Sequence, residues 1–169
     1  MFEFSYLKNE DLEKYAWDLF SILYDNMEKI VPTGNSSEEV FGHWLPAMQE
    51  QMQKGNRETI LILHKETKKI AGYFQYSLRD NVFLMEEIEI DRAYQGKYRI
   101  FRNLYGFLIA HLGPDVEYVE AYANKKNVKS MGILGKLGLS IVGENKTGTG
   151  YHFRGTYSDL LKWYQEKET

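Results

Sequence analysis

The densest chemistry in this sequence lies between Phe83 and Leu112. Glu86, Glu87 and Glu89 crowd one short apolar segment, FLMEEIEI. A carboxylate so placed can take a proton, hold one, or pair with a cation. A polar turn, Asp91 to Tyr94, follows, and Gln95-Gly96-Lys97 is expected to open an amphipathic helix that runs to Leu112. A strand that feeds a helix through such a turn aims free backbone N–H groups and a positive dipole end at one point, which makes an anion site. A proton acceptor beside an anion site is therefore the pattern to place.

Other chemistries are excluded by residue type. The chain has no cysteine, so disulfides, thiolate catalysis and zinc–thiolate sites are out. His43, His64, His111 and His152 are scattered, with no pair at metal-ligand spacing on one helix, and no metal is expected. No G-x-S-x-G nucleophile motif occurs. A net charge of −3 gives no reason to expect nucleic acid. No apolar run is long enough to span a bilayer, so no membrane partner is expected. The opening MFEFSYLKNE lacks a basic region before an apolar one and is not read as a signal peptide. With no cysteine, these features suit a cytoplasmic protein. The 169 residues are read as one domain, 1–169, with a core of its own.

The elements that must position the glutamates follow from periodicity. Phe2 to Tyr6 alternates as a half-buried strand does. Asn9 is expected to cap a helix whose apolar face is Leu12, Ala16, Leu19, Leu23, Met27 and Ile30. Ser36 with Glu39 reads as a capping box for a second helix, and Pro46 inside it predicts a kink or split. Thr59 to Leu63 and Ile70 to Tyr76 read as a hairpin, and the strand Phe83 to Ile90 follows. After the helix to Leu112 come a strand over Val116 to Ala123, a helix from Val128 to Leu137, two strands about the turn Glu144 to Gly150, and a short helix from Ser158. Two β-α-β passages favour parallel neighbours and the hairpins demand antiparallel ones, so the class is α+β with a mixed sheet and helices on both faces.

In this order of elements the chain resembles the GNAT superfamily of acyl-CoA-dependent N-acetyltransferases. Ile88 to Lys97 looks like that family's fourth strand running into its pyrophosphate loop. Asn127, and Lys136-Leu137-Gly138-Leu139, look like its later Asn and "K-L-G-F" signature, while Ile70 to Tyr73 resembles its third strand. The matches span roughly residues 58 to 143. The resemblance implies a mostly antiparallel central sheet of about seven strands. The family's loop reads Q/R-x-x-G-x-G/A: Gln95 matches, and Tyr98 and Ile100 stand where the small residues belong. The tyrosine that often serves as general acid is replaced by Leu134, which leaves Tyr122 and Tyr151 as candidates by the proximity of their elements.

The resemblance implies transfer of an acetyl group from acetyl-CoA to an amine. An alkyl amine with a pKa of ~10.4 must first lose a proton, at a cost of roughly 4.6 kcal/mol at neutral pH. Family bases sit a few residues before the strand's end, which favours Glu86, then Glu87, as catalytic. The donor's pyrophosphate would rest on the N–H groups of Gln95, Gly96, Lys97, Tyr98, Arg99 and Ile100. Its pantetheine arm would pair with the backbone of Ile88 and Ile90, with Asn127 reaching the same arm. The acceptor would be a small-molecule or peptide amine, and a homodimer is an open assembly. A second reading is a non-catalytic GNAT-fold module that holds CoA or a partner protein.

Overall fold

The computed structural model describes residues 1–96 and 99–166. In chain order the elements are β1 (Phe2–Tyr6), α1 (Leu12–Glu28), α2 (Ser37–Lys54), β2 (Glu58–His64), β3 (Ile70–Arg79), β4 (Val82–Ile90), α3 (Ile100–His111), β5 (Tyr118–Asn124), α4 (Val128–Lys136), β6 (Ser140–Glu144), β7 (Gly150–Thr156) and α5 (Tyr157–Glu166). The seven strands are ordered β1-β2-β3-β4-β5-β7-β6. β4 and β5 run parallel, joined through α3, as a crossover requires. β1–β2, β2–β3, β5–β7 and β6–β7 are antiparallel. The class is α+β, with a mostly antiparallel sheet and five helices.

The chain divides into two compact units, residues 1–76 with 87–100, and residues 77–86 with 101–169. In the first, α1 and α2 bury a stripe that includes Leu12, Leu19, Met48 and Met52 on Leu61, Leu63 and Tyr73 of β2 and β3. Polar groups are enclosed with it. The Gln75 amide donates to Thr59 Oγ1 at 3.2 Å and to Met48 Sδ at 3.0 Å. Enclosed polar groups have to be paired in this way, because an orphan costs about 1–3 kcal/mol. In the second unit, Phe83, Leu104, Leu108, Val119, Leu137 and Leu160 are buried. The Tyr105 hydroxyl, enclosed with them, donates to Met85 Sδ at 2.9 Å.

Several expectations at element ends are corrected. Asn9 does not cap α1. Asn9–Asp11 form a 3-10 turn, closed by Asp11 N–H on the Lys8 carbonyl at 2.9 Å, and α1 begins at Leu12. That helix stops at Glu28, so Ile30 lies in the turn beyond it. α2 starts as expected at Ser36, whose side chain accepts from the Glu39 N–H, but it continues unbroken through Pro46. The residue four before that proline, where its ring crowds the carbonyl, is Gly42, with open space around it. Gln95 and Gly96 do not open α3, which starts at Ile100. Gly96 has φ +72° and Arg99 φ +54°, left-handed values that a right-handed helix cannot contain.

Candidate active site

The end of β4 is held closely against β3. Gly72 sits under the Glu89 carbonyl so tightly that any Cβ there would overlap that oxygen. The Asp91 N–H donates to the Ala71 carbonyl at 2.8 Å, which carries the pairing one residue past the strand. The chain then turns on its own aspartate. Asp91 accepts from Ala93 N–H through its side chain at 3.0 Å and from Tyr94 N–H through its carbonyl at 2.9 Å. This is the local device by which an Asp stops a strand and starts a turn.

Glu89 is the focus of what this geometry holds. Its residue is only 7% exposed, although it carries an ionisable group. The Asn26 amide, from α1, donates to Glu89 Oε1 at 3.0 Å and to the Ile90 carbonyl at 3.1 Å. The side-chain amide of Gln95 reaches back to the same Ile90 carbonyl at 2.7 Å and to Asn26 Oδ1 at 3.5 Å. Glu87, half-buried on the same strand, is the neighbouring carboxyl group that acts on Glu89. Burial is the main cause that pushes the Glu89 carboxyl well above the usual carboxylate range. Glu87 adds to it, and Asn26 opposes it. Tyr73, buried on β3, has its phenol pushed up by burial and then by the Glu87 and Glu89 charges, with Arg57 acting in the opposite sense. Arg57, just before β2, donates to the side chains of Gln51 and Gln75.

The residues singled out from sequence fall as follows. Glu87, Ile88, Ile90, Gln95, Gly96, Arg99 and Ile100 belong to the first unit, and Glu86 and Asn127 to the second. Glu86 is half-buried on β4. Gly96 has no neighbour near its Cβ position, and Arg99 is exposed. Ile100, which replaces a small residue of the expected loop, is 3% exposed, so its bulk is enclosed rather than laid over the start of α3. Lys97 and Tyr98 lie outside the described residues. Asn127 is the N-cap of α4, its side-chain oxygen accepting from Ser130 N–H at 3.1 Å. Leu134 is a buried core residue. Tyr122 is 51% exposed and lies flat on His152 at 4.6 Å between ring centres, and Tyr151 sits under the Lys125 ammonium at 4.9 Å. Among the described residues no group of His, Asp and Glu side chains is placed to hold a metal ion, and no helix is long and apolar enough to cross a membrane.

Two participants escaped the sequence reading. Glu89 was ranked behind its neighbours, and Asn26 was passed over. A signal for Asn26 was present. It follows Leu12 and Leu19 at seven-residue steps, so a polar amide stands on the stripe that faces the core.

No protein-family model matches the sequence, and no curated protein sequence matches it. Solved structures do share the fold. The PaiA N-acetyltransferase from Thermoplasma acidophilum, in complex with coenzyme A, is 15% identical with a TM-score of 0.67, over 93% of this chain and 99% of that one. An acetyltransferase from Thermus thermophilus is 14% identical with a TM-score of 0.72, over 92% and 97%. The ribosomal-protein-S5-alanine acetyltransferase from Vibrio fischeri is 20% identical with a TM-score of 0.63, over 94% of each chain. The fold of this chain is therefore that of the GNAT acetyltransferases, as the element order implied.

Proposed function

We propose that this protein is an acetyl-CoA-dependent N-acetyltransferase that transfers the acetyl group directly to a cationic small-molecule or peptide amine. The observation that carries the reading is the pair of carboxyl groups at the end of β4, Glu87 half-buried and Glu89 enclosed and bonded by Asn26, next to the turn that leads to α3. Enclosure keeps a proton on Glu89, although the Asn26 amide favours its ionised form. The half-buried Glu87 is then the carboxylate offered to an ammonium group. It attracts the acceptor in its charged form and takes the proton, directly or through a water, as the nitrogen becomes a nucleophile.

The donor supplies the thioester carbonyl. The chain's part in binding it falls to the backbone N–H groups of Gln95 to Ile100 and to the backbone of Ile88 and Ile90. Two observations support the fit. The Ile100 side chain is enclosed, and the first N–H groups of a helix such as α3 lie beyond its own ladder of hydrogen bonds. The Ile90 carbonyl accepts from both Asn26 and Gln95, so a donor group that uses this oxygen has to displace one of the two amides.

The test is thiol release on mixing acetyl-CoA with a panel of amines, each also run with Glu87→Gln. Turnover that needs both substrates and falls on removal of the Glu87 carboxylate supports the reading. One observation favours a second reading, a non-catalytic module that binds CoA or a partner protein: Leu134, at the position of the expected tyrosine acid, is buried in the core. Micromolar binding of CoA by calorimetry, with no turnover on any amine, would decide for the module.

A further inference from the structure

Asn26, on α1, reaches both Glu89 and the end of β4. Its Nδ2 donates at 3.0 Å to Glu89 Oε1 and at 3.1 Å to the Ile90 carbonyl, and its Oδ1 accepts from Gln95 at 3.5 Å. An amide nitrogen has two hydrogens, so both donor contacts are made by one group without competition. The geometry points to Asn26 as a positioning residue: one amide fixes the rotamer of the Glu89 carboxyl and ties the strand that carries it to the turn that follows. This inference rests on the proposed transferase reading and deepens it by giving this α1 residue a role of its own at the same site.

The physical argument is orientation. Asn26 holds Oε1, so the enclosed Glu89 carboxyl is kept in one rotamer. Without that amide the enclosed carboxyl loses a donor and can rotate. The groups that face Glu89 are few. Glu87 stands on its own strand, the Tyr73 phenol on β3 feels both glutamates, and Arg57, before β2, acts on Tyr73 in the opposite sense. From α1 and the turn come the neutral amides of Asn26 and Gln95. Among these groups the Asn26 N–H favours the ionised form of Glu89, so its removal has a fixed sign.

The experiment uses the full chain with 13C-carboxyl-labelled glutamate, and Glu89 is assigned by Glu89→Gln. Carboxyl titrations are recorded for wild type, Asn26→Ala and the near-isosteric Asn26→Asp, which keeps the packing if the alanine variant fails to fold. The Glu89 midpoint should rise by about one pH unit in Asn26→Ala, and further in Asn26→Asp. With an accepted amine, Asn26→Ala should lower kcat about tenfold while KM for acetyl-CoA stays unchanged. An unmoved Glu89 midpoint in the folded variants overturns the inference. The titration needs no turnover, so if wild type acetylates no amine, the transferase reading fails by itself and the hold of Asn26 on Glu89 is still decided.

Discussion

Glu89→Gln should make the protein more stable, and only above a definite pH. The folded carboxyl is pushed well above its ordinary value of 4.5, by burial first. The sign follows from counting protons. Below about pH 4 the group is protonated in both states and contributes no dependence on pH. Above that, the unfolded chain releases a proton that the folded chain keeps, so stability falls by about 1.4 kcal/mol for each pH unit. The loss continues until the folded group ionises. Between its ordinary value and pH 7 this amounts to about 3 kcal/mol. Glutamine reproduces the protonated form: its oxygen can accept from Asn26. Urea unfolding of both proteins, followed by tryptophan fluorescence at a series of pH values, reads this group together with the Glu87 titration coupled to it, because more distant titrations cancel in the difference. Expected is a gain of about 3 kcal/mol for Glu89→Gln at pH 7 that vanishes near pH 4. A difference that does not change with pH would refute the reasoning. So would a variant less stable at both ends, which would mean the carboxyl is held as an ion.

Other perturbations follow from the same geometry. Gly72→Ala places a methyl group into the Glu89 carbonyl, and should cost about 2–3 kcal/mol in urea unfolding, with KM for the amine raised as the strand end shifts. Glu87→Gln should lower kcat/KM about 100-fold or more, with a larger loss at low pH, where the ammonium form dominates. Glu86→Gln in the same assay separates the two glutamates, and an equal loss from both at every pH would remove the base role from Glu87. Asn127→Ala loses the α4 cap on Ser130 and should cost about 1 kcal/mol of stability. A rise in KM for acetyl-CoA in that variant would mark a second role at the donor.

What could be read in advance was what local periodicity encodes. The alternation of Phe2 to Tyr6 and the seven-residue spacing of Leu12 and Leu19 are satisfied by β1 and α1 as they stand. The start of α3 was set too early because Arg99 takes a left-handed φ, and residue type gives no notice of that at an arginine. The rank of the glutamates was missed for a different reason. Strand alternation puts Glu87 and Glu89 on one side, but which carboxylate is enclosed depends on Asn26, 63 residues away in the chain. Burial of a charge is a tertiary property, settled by the partner that arrives. The amide on the core-facing stripe of α1 was the trace such a partner leaves in the sequence.

The central claim is a direct acetyl transfer that uses the Glu87–Glu89 pair. Its most direct test is a coupled measurement on one sample: acetyl-CoA binding by calorimetry, with dephospho-CoA as control, followed by thiol release and mass detection of acetylated product across an amine panel. Micromolar binding, with product formed on a cationic amine and reduced at least 100-fold in Glu87→Gln, is the predicted result. Binding with no product on any amine, or product formed equally fast by Glu87→Gln, would contradict the account.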